Sequence, residues 1–292
     1  MKRGSSKVAL IKGGDRKKNI LKALNLIKNG IVREAKGKTI LIKPNFVVVN
    51  KQKATTHVKA AEAVIEFFQK LGFKNIVIAE SSAGNTMKAF ENYGFLGLKK
   101  KYGVELIDLN KEPSRDTNIG NIVPVARRLL DKSNFIVSLA MPKTHNAVLV
   151  TLSLKNILMG SVTRGLILNT KMRMHRAKNG INKTIARMAS YVYPDLAVLD
   201  GYTSMEGNGP CDGDTLKTRF VIASLDALAA DRVCLECMSI PSNYPAYLIY
   251  IYKKGLGEYD LTNIAILGNK IKDVQRKFKF HENYKKQLLC YR

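Results

Sequence analysis

The sequence holds 292 residues, 46% of them hydrophobic, and carries a formal charge of +26. That size allows one large core or two closely joined lobes. No apolar run approaches the ~20 residues a bilayer span requires, and the run behind Lys2 and Arg3, residues 8–11, is too short for a signal-peptide core. Four cysteines do not make a disulfide framework in so long a chain, so a reduced, cytoplasmic protein is expected.

The first third alternates strands and helices. Residues 7–12 read as a short strand, and a helix over 17–28 sets Ile20, Leu21, Leu24 and Ile27 on one stripe. A second strand spans Thr39–Lys43, and a helix over 58–71 stops at Gly72. A third strand takes 75–79, followed by a helix over 86–102 and a fourth strand over 104–109. This rhythm predicts an α/β fold: a mainly parallel sheet with helices on both faces, in two α/β halves (1–120 and 121–270) around a central crevice. After Asn110 a polar loop runs to Gly120, and the next strand is Asn134–Ala140. The stretch 147–162 is apolar but irregular, and its pattern does not separate helix from strand. A helix over 183–191, a strand over 196–199 and a long glycine-rich loop over 201–213 come next. Then follow a strand over 219–224, helices over 227–238 and 246–254, and a last strand over 263–267. Residues 271–292 read as a basic tail, an appended helix or a partly disordered segment.

Polar residues recur where these strands stop. They are Lys12-Gly13-Gly14-Asp15, Lys43-Pro44-Asn45, Glu80-Ser81-Ser82, Pro142-Lys143-Thr144-His145 and Asp200-Gly201. One such group is an ordinary turn. Five at the same end of successive strands fit a crevice outside the carboxyl ends, where open α/β sheets bind ligands. Histidine is scarce, yet His145 and His175 bracket Lys155. Thr55 and Thr56 precede His57 at a helix start and suit a cap or an anion held there. In the loop Met205-Glu206-Gly207-Asn208-Gly209-Pro210 the glycines permit close backbone approach to a ligand. Glu206, Asp212 and Asp214 offer carboxylates to a cation or an amine, a surface turn being the plainer alternative.

Asp226 stands at a helix N-cap position, and Asp231 suits either a buried partner or a site residue. Cys234 and Cys237 have C-x-x-C spacing without a second pair, which fits two buried residues of one helix better than a redox or metal pair. The basic run from Arg164 to Arg187 lacks interleaved aromatic platforms, so it reads as a solvated, anion-attracting face ahead of a nucleic-acid surface. The phosphate-loop, dinucleotide, zincin, α/β-hydrolase and ferredoxin signatures are all absent from the sequence.

The order of Lys43-Pro44-Asn45, Glu80-Ser81, Pro142-Lys143-Thr144-His145, Ser153-Leu154-Lys155-Asn156 with Gly160, Asp200 and the loop from Met205 to Pro210 resembles the domain of unknown function 362 family. Asp226 with Asp231 and Gly255-Leu256-Gly257 extend the resemblance over residues 7–268. Some members carry ferredoxin-type clusters. This chain lacks those cysteines, so no iron–sulfur cluster is expected. The succession His145, Lys155, His175 is also similar to the nickel-dependent lactate racemases. There a histidine is followed ten residues later by a lysine bearing the nickel pincer nucleotide, and then by a metal-binding histidine. The second gap differs here, and Thr151-Leu152-Ser153-Leu154 replaces the glycine-rich sequence before that lysine.

Two functional readings follow. In the first, an enzyme of racemase or isomerase type acts on a small anionic substrate. Lys43, Asn45, Lys143, Ser81 and Thr56 hold the anion, or Lys155 anchors a cofactor covalently. His145 and His175 serve as acid and base, and Glu80, Asp200, Glu206 and Asp231 orient them or hold a divalent metal. In the second, the chain is a non-enzymatic basic protein that binds nucleic acid or an acidic partner, with steeply salt-dependent affinity.

Overall fold

A computed structural model describes residues 6–163 and 180–289. In chain order the strands are β1 (Ser6–Lys12), β2 (Thr39–Lys43), β3 (Ile76–Glu80), β4 (Glu105–Asp108), β5 (Ser114–Asn118), β6 (Ile122–Ala126), β7 (Asn134–Ala140), β8 (Lys143–His145), β9 (Leu149–Thr151), β10 (Leu196–Gly201), β11 (Ser204–Glu206), β12 (Asp214–Leu216), β13 (Phe220–Ser224) and β14 (Ile264–Gly268). Eight of them form one sheet in the order β14-β1-β13-β10-β7-β2-β3-β4. Only β13 runs against its neighbours; the other pairings are parallel. The fold is therefore α/β with a large, mostly parallel central sheet.

Both faces of this sheet are covered, which is why its strands read as near-continuous apolar runs. Ile40 and Ile42 of β2 face one core with the helices Arg16–Leu26 and Val58–Lys70, while Leu41 faces another with the helices Ser153–Gly160 and Ala227–Cys237. The Val58–Lys70 helix buries Ala60, Ala61, Val64, Ile65 and Phe68. Full burial of a side chain such as Phe68 stabilises by roughly 1.5–3 kcal/mol.

Local departures from the sequence reading have identifiable causes. The helix expected over 86–102 is broken into Thr86–Asn92 and Leu96–Tyr102. Between them Gly94 turns at φ +79, and Phe95 swings back onto Phe46 with ring centroids 4.9 Å apart. The polar loop after Asn110 contains β5, which pairs with β6 beyond Gly120 as a hairpin, and a short helix, Lys28–Ala35, follows the first one. The ambiguous stretch 147–162 resolves into β9 and the helix Ser153–Gly160. The glycine-rich loop 201–213 contains β11 and leads into β12, and both strands join β8 and β9 in a small second sheet. The tail docks along this sheet: the Gly207 amide donates to the Lys279 carbonyl at 2.9 Å, and Phe278 is buried.

Parallel pairing places the carboxyl ends of β10, β7, β2 and β3 at one edge, and β1, reversed twice through β13, ends there too. All five polar strand ends thus share an edge. The chain steps outward through β2, β3 and β4 on one side and through β7 and β10 on the other. The gap between β2 and β7 is therefore the topological switch point, where open α/β sheets form their ligand crevice.

Candidate functional site

Lys43, the last residue of β2, is 1% exposed at this switch point. Its Nζ donates to Glu80 Oε1 at 2.9 Å, to Asn156 Oδ1 at 3.1 Å and to the Pro44 carbonyl at 3.1 Å. Glu80, at the end of β3, also accepts the Ser81 and Phe46 amides at 2.7 and 2.9 Å. Asn156 closes the network: its Nδ2 donates to the Lys43 carbonyl and to Ser138 Oγ, both at 3.1 Å, and its Oδ1 also accepts Asn45 Nδ2 at 3.1 Å. The Ser153–Gly160 helix can lie this close because a Cβ on Gly160 would stand 2.3 Å from Lys43 Cε. Ser81 Oγ donates to the Gly160 carbonyl at 2.6 Å.

That helix is fixed from its other side by Asp231, a fully buried residue of the helix Ala227–Cys237. Its two oxygens accept the Ser153 and Leu154 amides at 2.9 and 3.0 Å. Burial pushes the Asp231 carboxyl up to about 8, against those two amides, which favour its charged form. Of the two roles the sequence left open for Asp231, the contacts made are those of a buried helix anchor.

Lys143 and Lys155 stand beside this network. Lys143 is wholly buried and donates to the Ala54 carbonyl at 2.6 Å. Lys155 is 8% exposed, and among the described residues its ammonium makes no hydrogen bond or ion pair. Burial lowers Lys143 to about 7; Cys211 and Glu80 oppose that shift, and the charges of Lys155 and Lys43 add to it. Burial lowers Lys155 to about 8, with Cys211 opposing. The loop holding Cys211 is clamped by Lys51, which pairs with Asp212, and by Lys53, which donates to the Gly213 carbonyl. Burial raises the Cys211 thiol, while Lys143, Lys51 and Lys155 pull it down. Thr151 lies across the β8–β9 register from Lys143, and among the described residues its buried Oγ1 has no hydrogen-bond partner.

His145 ends β8 and is buried. Its Nδ1 accepts the Ala147 amide at 2.9 Å, so the neutral ring carries its proton on Nε2, and taking up a second proton at Nδ1 breaks this hydrogen bond. The turn behind it is strained at Leu149 (φ 67) and held by Gln287 from the tail. Gln287 donates to the His145 carbonyl at 3.0 Å and accepts the Leu149 amide at 2.7 Å. Replacing Gln287 by leucine strands both buried backbone groups. The expected loss is about 2–4 kcal/mol of unfolding free energy, read as a lower denaturant midpoint at unchanged slope.

The remaining predicted site residues lie apart from the amines or are engaged by the protein. Asp200, at the same sheet edge, is paired with Arg16 at 2.9 Å; burial raises its carboxyl and Arg16 opposes this. Glu206 accepts the Lys279 amide at 2.8 Å and so anchors the tail. The Thr56 hydroxyl accepts the Asn45 amide and donates to the Leu139 carbonyl, both at 2.8 Å, and it is His57 that caps the Val58–Lys70 helix. Among the described residues no three His, Cys, Asp or Glu side chains converge to hold a metal ion. His175 lies outside the described residues. Ser138 and Cys211 were not singled out from sequence, and Asn156 entered only as part of the family pattern, without a role of its own. Asn156 follows Lys155 directly, and Cys211 sits within the glycine-rich loop, so position was the available signal for both.

The fold and these side chains define an α/β protein with a buried, lysine-rich polar centre at a sheet switch point. A family model described as Domain of unknown function (DUF362) matches residues 40–236, from β2 into the helix that carries Asp231, and the chain belongs to that family. Over 213 residues it is 25% identical to the "Thylakoid-associated protein sll1697" of Synechocystis sp., a match covering 72% of this chain and 66% of that protein. Among the described residues no helix is long and apolar enough to cross a membrane.

Proposed function

We propose that the chain is an enzyme acting on a small anionic substrate at the β2–β7 switch point. Lys143 and Lys155 hold the anion, and His145 is the acid–base group of a proton transfer beside it, the chemistry of an isomerase or racemase. The observation that carries this reading is a charge imbalance. Lys43 has Glu80, but among the described residues neither Lys143 nor Lys155 has a carboxylate partner. Residues 164–179 contain no Asp or Glu, so that segment has no acidic side chain to supply one. An uncompensated buried ammonium costs several kcal/mol, and a bound anion offsets that cost where water cannot. The Thr151 hydroxyl, opposite Lys143 and without a partner among the described residues, is a further group that a polar ligand would satisfy.

Oxalate, which lacks a reactive ketone, is a suitable probe. Calorimetry at pH 7 is expected to show saturable binding that weakens roughly tenfold or more in Lys143→Met and in Lys155→Met. Lys99→Met removes the same charge from an exposed position and should bind as the wild type does. Equal affinity in all four proteins, with a steep salt dependence, would instead favour a basic protein that binds polyanions through its surface.

A further inference from the structure

We infer that Lys155 is a covalent nucleophile whose amine condenses with the ketone of a small 2-oxo carboxylate, while Lys143 holds the neighbouring carboxylate. This rests on the anion-site reading above and names its substrate class. Three buried lysines surround the switch point, and they differ in what their amines already do. Lys43 makes three hydrogen bonds, one of them to a buried carboxylate. Lys143 is wholly enclosed and committed to the Ala54 carbonyl. Among the described residues, only the Lys155 amine in this set is without a hydrogen-bond or ion-pair partner.

Its backbone is nonetheless fixed, since Asp231 caps the first turn of its helix and Asn156 ties the next residue to β2 and β7. A desolvated lysine is an activated amine, because burial disfavours its protonated form; at Lys155 burial lowers the amine and Cys211 opposes. Leu158, three residues further along the same face of the helix, is fully buried. With its amine lowered to about 8, roughly a tenth is neutral at pH 7, against about one part in three thousand for an ordinary lysine. A 2-oxo carboxylate matches the pair of amines, its carboxylate answering the charge of Lys143 and its adjacent carbon presenting an electrophile to Lys155.

In the step itself the Nζ lone pair forms a bond to the ketone carbon, and the carbonyl π pair moves to oxygen. Proton transfer from nitrogen to that oxygen gives the carbinolamine. Loss of the hydroxyl as water, with the second nitrogen proton, leaves the C=N bond. Amine and ketone become imine and water, and no oxidant or reductant is consumed.

Pyruvate with cyanoborohydride tests this on the full chain, because reduction turns the imine into a stable secondary amine. Peptide mapping of the wild type should place one stoichiometric adduct on Lys155, formed roughly a hundredfold faster than on exposed lysines. Oxalate should suppress it. Lys155→Arg should still bind oxalate and yield no site adduct. Labelling scattered over surface lysines without oxalate protection would overturn the inference, and the wild-type mapping alone decides this if a variant folds poorly. Oxalate binding without a Lys155 adduct overturns only the covalent step. Absence of oxalate binding removes the anion site and the covalent step together.

Discussion

Replacing Glu80 by glutamine is expected to cost roughly 3–5 kcal/mol of folding stability, a large share of what a single chain possesses. The substitution conserves shape, so the loss comes from charge. Lys43 is left as an ammonium at 1% exposure with neutral oxygens alone, and the glutamine NH2 must face either Lys43 and the Ser81 amide or the Phe46 amide. Glu80 Oε2 also receives the Phe46 amide and Oε1 the Ser81 amide, so β2, β3 and the segments leaving them loosen together. The double variant Lys43→Met with Glu80→Gln removes the stranded charge and should recover part of the loss. Denaturant titration of the four corners of this cycle gives the coupling. A Glu80→Gln protein as stable as the wild type would mean that Lys43 is not held as an ion pair.

This pair shows where the sequence was informative and where it was not. The inner strands of the central sheet are buried on both faces and read as apolar runs, and the polar residues closing them marked a common edge. The hairpin β5–β6 was invisible because β5, Ser-Arg-Asp-Thr-Asn, exposes four of its five residues and lacks an apolar alternation. Strands of three residues, such as β8, β9 and β11, are too short for periodicity to register. Pattern also does not say which lysines are buried. Among 49 Lys and Arg residues, Lys43 and Lys143 stood out because they follow apolar strands, and Lys155 because two scarce histidines bracket it. The partners were less accessible still: Lys43 meets Asn156 across 113 positions, and His145 meets Gln287 across 142. Glu206 and Asp231 were legible as unusual carboxylates, but their engagement with backbone amides follows only from the fold.

The buried amines make stability and anion binding respond to pH in opposite directions. Burial penalises the ammonium, so Lys143 titrates at about 7 in the folded chain and near 10.4 when unfolded. Between those values the unfolded chain binds more protons, and the contribution of Lys143 to stability therefore rises with pH. The sign is the reverse of that for a lysine gaining a carboxylate partner. Three cysteines act against it at alkaline pH, since burial raises Cys211, Cys234 and Cys237. The clean quantity is thus the difference between the wild type and Lys143→Met. From pH 7 to pH 9 that difference should move by roughly 2–3 kcal/mol in favour of the wild type, measured by denaturant titration without ligand. Oxalate stays ionised throughout this range but needs the ammonium forms of Lys143 and Lys155. With those amines at about 7 and about 8, its affinity should fall by roughly two to three orders of magnitude between pH 6.5 and pH 9. Most of this fall should vanish in the variant lacking both amines. An affinity that stays flat across this range would mean that the anion is held by exposed lysines, whose charge does not change there, and not by the pair at the switch point.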